Sequence, residues 1–271
     1  MKRAAMLGIF SVGIAVYCLL PYLWFALTSC KSPAELTAIP PKLIPSFHWD
    51  FYRSALEERG LLRYIANSTI VAGAATCISI TIGSLAAYAL ARFQHPWTKG
   101  YLLILLAISM FPQIAIAGPV WNLLNHLGWL NTYRGLVAAY IALSLPLAIW
   151  ILTTFFREVP REIEEAALID GCSRLQALYK VVLPLAAPGM LTAALLVFIY
   201  AWNEFFFALI IMTDPNVQTL PVGIALFPGE YTMPWGEIAA ASTVATIPLI
   251  LLTLVFQRGI VRGLCAGAVK G

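Results

Sequence analysis

The chain has 271 residues, of which 61% are hydrophobic and only 11% charged, with a mean hydropathy of +0.83. Soluble domains carry charge on roughly a quarter of their residues, so a soluble fold is excluded. The net charge of +4 follows from where the cations fall along the chain, described below, and leaves no footprint of a nucleic-acid partner.

Crossing a bilayer takes about 20 apolar helical residues at 1.5 Å rise each. Six runs reach that length, at 5–27, 65–91, 101–121, 135–156, 188–212 and 238–256, and Glu204 is the one charged side chain inside them. Barrel strands would alternate apolar and polar, and these runs do not. The expected fold is therefore an all-α membrane protein with six transmembrane helices, organised as one membrane domain over 1–271.

Lys2 and Arg3 ahead of the first run resemble the start of a signal sequence, and Leu27-Thr28-Ser29-Cys30 loosely resembles a lipoprotein cleavage site. The run exceeds the usual signal core of roughly 7 to 15 residues, so it reads as an uncleaved span. Lys2, Arg3, Arg92, Lys99, Arg157, Arg161, Arg174, Lys180, Arg258, Arg262 and Lys270 then share one side of the membrane. Lys31, Lys42, Arg53, Arg59, Arg63 and Arg134 share the other. The richer side is cytoplasmic by the positive-inside rule, so both termini are expected there, with the loop 157–188 and the tail 257–271. Segments 28–63 and 213–236 are then outside, and of the five cysteines only Cys30 faces an oxidising compartment, so no intramolecular disulfide is expected.

The outer segment 28–63 holds four prolines and the cluster Phe47, Trp49, Phe51 and Tyr52, which suits packing on the membrane surface or a partner. Gly73, Ala74, Ala75, Gly83, Ala86 and Ala87 mark the second run for close helix packing. Pro112 and Pro119 in the third run and Pro146 in the fourth each remove a backbone donor and invite a kink.

The loop 157–188 carries strong helix punctuation. Pro160 fits a first helical position, Glu162, Glu164 and Glu165 follow near the positive end of the dipole, and Gly171 ends the helix. Ile163, Ala166, Ala167 and Asp170 recur at helical spacing as a shallow face. Ser173 and Gln176 form a capping box for a second helix, whose Leu175, Leu178, Tyr179 and Val182 line one face until Pro184 stops it. Composition alone favours an amphipathic hairpin resting on the headgroups; the order of the residues points elsewhere.

In the fifth run Asn203 and Glu204 fall near the middle and must face inward, because a carboxylate in lipid costs about 2.5 to 3.5 kcal/mol. Two roles stay open for them, a polar contribution to a substrate path and an interhelical clamp. Five runs contain no carboxylate, Lys, Arg or His, and His48, His95 and His126 all lie in connections, so no catalytic or metal-binding cluster is expected in the membrane. No Lys follows a Gly, which excludes a P-loop: the chain is no ATPase, has no cofactor of its own, and any ATP and Mg²⁺ must be held by another subunit.

Glu165-Ala166-Ala167, Gly171 and Val181-Val182-Leu183-Pro184, at that spacing, resemble the EAA signature of permease subunits of binding-protein-dependent ABC importers. Cys172 and Val181 stand where Ala and Ile are usual. The resemblance spans nearly the whole chain and is greatest to the smaller, six-span permease of carbohydrate importers of the maltose-transporter type. It rests on Asn67-Ser68, Ala87 to Phe93, Met110-Phe111-Pro112-Gln113, Trp202-Asn203-Glu204-Phe205 and Ala266 to Gly271 as well, while Phe51-Tyr52 depart from a usual Asn-Tyr.

The resemblance implies a type I ABC importer permease fold in the inner membrane. It implies a coupling helix at Glu165, Ala166, Ala167, Asp170, Gly171, Leu183 and Pro184 docking on an ATPase subunit, with Glu165 facing a basic residue there. The implied partners are a second permease, two ATPase subunits, an extracytoplasmic sugar-binding protein and the lipids. Trp202, Asn203, Glu204 and Gln113 become candidates for the translocation path, Leu220, Pro221, Val222 and Gly223 for contact with the binding protein, and the tail for a place between the ATPases. Two rivals remain: a self-sufficient carrier using Glu204 as its proton or ion site, and a membrane scaffold that transports nothing.

Overall fold

The computed structural model describes residues 2–93, 96–227 and 233–268. Among the described residues the regular structure is helical throughout. In chain order the main helices are α1 (Lys2–Thr28), α2 (Leu61–Arg92), α3 (Thr98–Ser109), α4 (Gln113–His126), α5 (Tyr133–Glu158) and α6 (Arg161–Ile169). They continue as α7 (Arg174–Leu185), α8 (Ala187–Asn203), α9 (Phe206–Ile211), α10 (Leu220–Ala225) and α11 (Trp235–Ala268).

Among the described residues four helices are long and apolar enough to cross a membrane unbroken, and two bent pairs bring the candidate spans to as many as six if each pair is one span. The first bent pair corrects the expectation of one span over 101–121: α3 and α4 meet at 87°. Pro112 causes the break. It has no N–H to continue α3 and holds the chain at φ −59°, ψ 121° as it leads into α4. Pro119 and Pro146, also expected to kink their spans, are both absorbed within continuous helices.

The second correction concerns the run 188–212. Helix α8 ends at Asn203, Glu204 is extended, and α9 starts anew at Phe206. A third concerns Pro184, which does not stop α7. A π turn over Leu178–Val182 precedes it, with the N–H of Leu183 bonding to Leu178 five residues back, so the ladder is already shifted where proline would interrupt it.

The chain groups into two compact units, Met1–Ile65 with Val222–Leu249 and Ala66–Pro221 with Ile250–Gly271. In the first, a folded cap follows α1. The N–H of His48 bonds to Cys30 at 2.9 Å, and the Tyr52 hydroxyl meets Ser29 Oγ at 2.7 Å. The buried Glu35 carboxylate organises the turn, accepting from the N–H groups of Ser32 and Ser46, the Ser46 hydroxyl and Lys42. These donors, Ser32 N–H foremost and then the Ser46 hydroxyl, hold its carboxyl down at about 2. Of the four clustered aromatics, Phe47 and Trp49 point outward while Phe51 packs against Gly236, where any side chain would overlap the ring.

The second unit is built on α2, α5 and α8. Small residues allow close approach: Gly83 lies against Leu152 and Ala148, and a Cβ on Gly189 would overlap the Phe155 ring. Around these contacts Tyr88, Leu152, Phe156, Leu178, Val182 and Ala193 form a continuous core, and the buried hydroxyls of Ser79 and Ser144 satisfy each other at 3.0 Å.

Candidate functional site

Three places in the second unit concentrate polar chemistry. The first is the loop from α5 to α8. Pro160 precedes α6 as its cap, one position earlier than expected, and Gly171 leaves the helix at φ +87°, a conformation that L side chains resist. The capping box forms as expected: Ser173 Oγ accepts from Gln176 N–H, and the Gln176 side chain accepts from Ser173 N–H at 2.8 Å. The face expected on α7 divides. Leu178 and Val182 are buried in the core, whereas Leu175 and Tyr179 stay exposed.

On α6, neighbouring acids do different things. Glu164 turns inward, accepting from the Tyr88 hydroxyl and from Arg92 at the end of α2. Both members of this ion pair are buried, at 5% and 6% side-chain exposure, and Arg92 also donates to the Val159 carbonyl at 3.1 Å. Glu165 and Ala166 face out with Ile163, Asp170 and Ile169, which is 86% exposed, while Ala167 is half-covered. The result is a rigid, shallow helix face with its back locked to α2. Leu183 packs on the core and Pro184 lies at the surface. Sequence reasoning passed over Glu164, Arg92 and Tyr88, although Tyr88 and Arg92 stand four apart on one face of α2 and so signal a paired site.

The second place is a cleft of about 510 Å³ at the α3/α4 break. Phe111, Gln113, Ile116, Leu147 and Tyr200 line it, and Gln113 Nε2 donates to the Tyr200 hydroxyl at 3.0 Å. No charged side chain is among the lining residues.

The third is the α8/α9 break. Glu204 is buried, and its carboxylate accepts from Phe207 N–H at 2.8 Å and Ala208 N–H at 3.1 Å, satisfying the free donors at the start of α9. This makes it a helix cap. Trp202 is buried and stacked on Phe198 at 5.6 Å, and Asn203 is exposed but donates to Ile199 within its own helix. Gln113 alone of the four path candidates lines the cleft.

A strap after α9 is pinned to α2. Asn67 Nδ2 donates to the carbonyls of Asn216 and Gln218, Tyr133 donates to Asn67 Oδ1, and Ser68 Oγ accepts from Leu220 N–H at 2.8 Å. Leu220 and Val222 are buried, Pro221 is half-buried, and Gly223 abuts the Tyr64 ring. These four residues are thus buried or half-buried in the fold. Residues 228–232, further along that loop, lie outside the described residues, as do 269–271 at the tail.

Residues 79–264 match the family of binding-protein-dependent transport system inner membrane components. The chain belongs to this family. It is 43% identical, over 99% of its length and 98% of the relative's, to the trehalose/maltose transport system permease protein MalG of Thermococcus litoralis. It is 41% identical, over 93% and 89%, to the sulfoquinovosyl glycerol transport system permease protein SmoH of Agrobacterium fabrum. With the trehalose transport system permease protein SugB of Mycobacterium tuberculosis it shares 41% identity over 100% of this chain and 99% of the relative. Its fold is similar to a chain of a crystal structure of a bacterial ABC transporter that imports the polysaccharide alginate, with a TM-score of 0.77 at 23% identity over 95% and 94% of the two chains. The permease is thus a multi-pass membrane transport component.

Proposed function

We propose that this permease forms one half of the pore of an ATP-driven importer for a short sugar or glycosylated polyol. In this reading a second permease completes the pore, two separate ATPase subunits supply the work, and an extracytoplasmic protein delivers the substrate. Both termini and the α6–α7 loop face the cytoplasm, following the cation distribution.

The observation that carries the reading is the α6 face. Ile163, Glu165, Ala166 and Asp170 project from a helix whose reverse side is fastened by the buried Glu164–Arg92 pair. A shallow helical face seated in a groove transmits a push without compliance, as coupling to a separate motor requires. The substrate class draws on the sugars in the relatives' names and on the uncharged cleft, where Gln113, Tyr200 and Ser109 offer hydrogen bonds to hydroxyl groups and no cation is present to neutralise an acid.

The carrier reading has less support, because Glu204 is occupied as the cap of α9 by two backbone donors. The test is uptake by the assembled transporter in proteoliposomes. Glu165→Lys should leave insertion and assembly intact but abolish ATP-dependent sugar uptake, since it reverses charge on the exposed coupling face. Normal uptake in that variant, or uptake driven by a proton gradient without nucleotide, would overturn the reading.

A further inference from the structure

In the first unit, the end of α1 and the start of α11 border a cleft of about 550 Å³. Its walls are aromatic, with Trp24, Phe25, Phe51 and Trp235, and Lys31 opens onto it. Lys31 is only 4% exposed. Its ammonium sits over the Trp24 ring, 4.5 Å from the centroid, yet among the described residues no oxygen accepts from it. A ring face attracts a cation but gives its three N–H donors no acceptor. Thr28 Oγ1, lining the same cleft, is fully buried and also lacks a partner. The Lys31 ammonium opens onto the cavity without an oxygen acceptor and the Thr28 hydroxyl beside it lacks one too, a pairing that suits a ligand bringing oxygens.

Charge narrows the ligand. The cleft's two carboxylates are occupied, Glu35 by Lys42 and the serines, and Glu237 by Arg59 at 2.9 Å and Ser54 at 3.1 Å. The uncompensated charge is the single positive one on Lys31. A water would satisfy Thr28 and leave that charge standing, and an ammonium headgroup would find no free carboxylate. Location narrows it further. The cleft lies between the end of one candidate span, Gly8–Thr28, and the start of another, Trp235–Gln257, where tryptophans suit headgroup level, and the apolar flank of α1 is exposed beside it through Leu20 and Leu23.

We propose that this cleft seats the phosphodiester of an anionic phospholipid, with Lys31 and Thr28 donating to its oxygens and the acyl chains lying along α1. The site binds one lipid per permease and fastens α1 to the cap that follows it. A glyceryl headgroup would suit the remaining lone pairs of Glu35 and Glu237, which accept hydroxyl donors.

The test uses the permease purified with the subunits that copurify, depleted of lipid, and titrated with phosphatidylglycerol, phosphatidylcholine or inorganic phosphate while bound lipid is counted by native mass spectrometry and thermal unfolding is followed. Wild type and Lys31→Arg should hold one phosphatidylglycerol and unfold several degrees higher with it. Lys31→Met should lose about tenfold or more in apparent affinity, and Thr28→Val a smaller factor. Because Lys31 has no ion partner, the lipid-depleted Lys31→Met protein should unfold no lower than wild type, which separates loss of the ligand from loss of the fold. Undiminished phosphatidylglycerol binding by Lys31→Met and Thr28→Val, or equal stabilisation by phosphatidylcholine, would overturn the proposal. So would displacement of the lipid by millimolar inorganic phosphate, which would make this a site for a free anion.

Discussion

Glu164→Ala would leave Arg92 buried with the Val159 carbonyl as its remaining acceptor and would strip the Tyr88 hydroxyl of its shorter hydrogen bond. Removing one member of a buried ion pair costs about 3 to 5 kcal/mol, because the other charge stays desolvated. The Val159 bond places this variant near the lower end, about 3 kcal/mol, and Arg92→Leu, which leaves Glu164 only a neutral hydroxyl donor, somewhat higher. The loss falls on the attachment of α6, so local opening of residues 159–183 should rise roughly 150-fold in equilibrium terms. Hydrogen exchange of that segment in the assembled transporter measures it directly. Apolar replacement of both partners removes the buried charges together, so Arg92→Leu/Glu164→Leu should exchange within about 1 kcal/mol of wild type. Additive losses in the double variant, or unchanged exchange in either single one, would refute the clamp.

Three further outcomes are expected. Glu204→Gln retains one of two acceptor oxygens for the α9 amides and should reduce uptake partially, with no sensitivity to a protonophore, whereas Glu204→Leu strands both donors at about 1 to 3 kcal/mol each and should do worse; complete loss with Gln together with protonophore sensitivity would restore the carrier reading. Glu35 has a folded pKa near 2 against an ordinary 4.5, so its stabilisation of the cap that follows α1 is complete above about 4.5 and is withdrawn as pH falls toward 2. Pepsin should therefore nick residues 33–48 with a rate per unit activity that climbs across that window in wild type, while Glu35→Gln is already susceptible at pH 5. Gly189→Ala would drive a methyl into the Phe155 ring and should destabilise by about 1 to 3 kcal/mol, read as a lower unfolding temperature; Phe155→Leu should rescue it.

What could be read from the sequence was local or periodic. The Gly171 elbow and the Ser173–Gln176 box each depend on a few adjacent residues, and both stand in the structure as the spacing requires. The break at Glu204 escaped because a hydropathy average does not register a change of direction when no proline or glycine marks it. Glu164 was overlooked beside Glu165 because one step along a helix is a rotation of about 100°, which separates a locked acid from an exposed one. Its partners lie more than seventy positions away, and only the fold brings them together. Lys31 counted as one outer cation among six until burial singled it out.

The right-angled break between α3 and α4 exposes main-chain groups for as long as Pro112 keeps the chain bent. The carbonyls of Leu106, Ala107 and Ile108 accept from Met110 and Phe111, and Ala115 donates to Pro112, but the N–H groups at the very start of α4 lose their helical partners there, at the cleft that Phe111 and Gln113 line. Part of the wetness of that cleft therefore belongs to the main chain, which is the same whatever side chains it bears. Replacements at Phe111, Ile116, Leu143 or Leu147 can widen or narrow the opening while its appetite for hydroxyl groups persists. Selectivity at such a cleft would drift by size sooner than by polarity, and a loss of polarity would require straightening the chain itself.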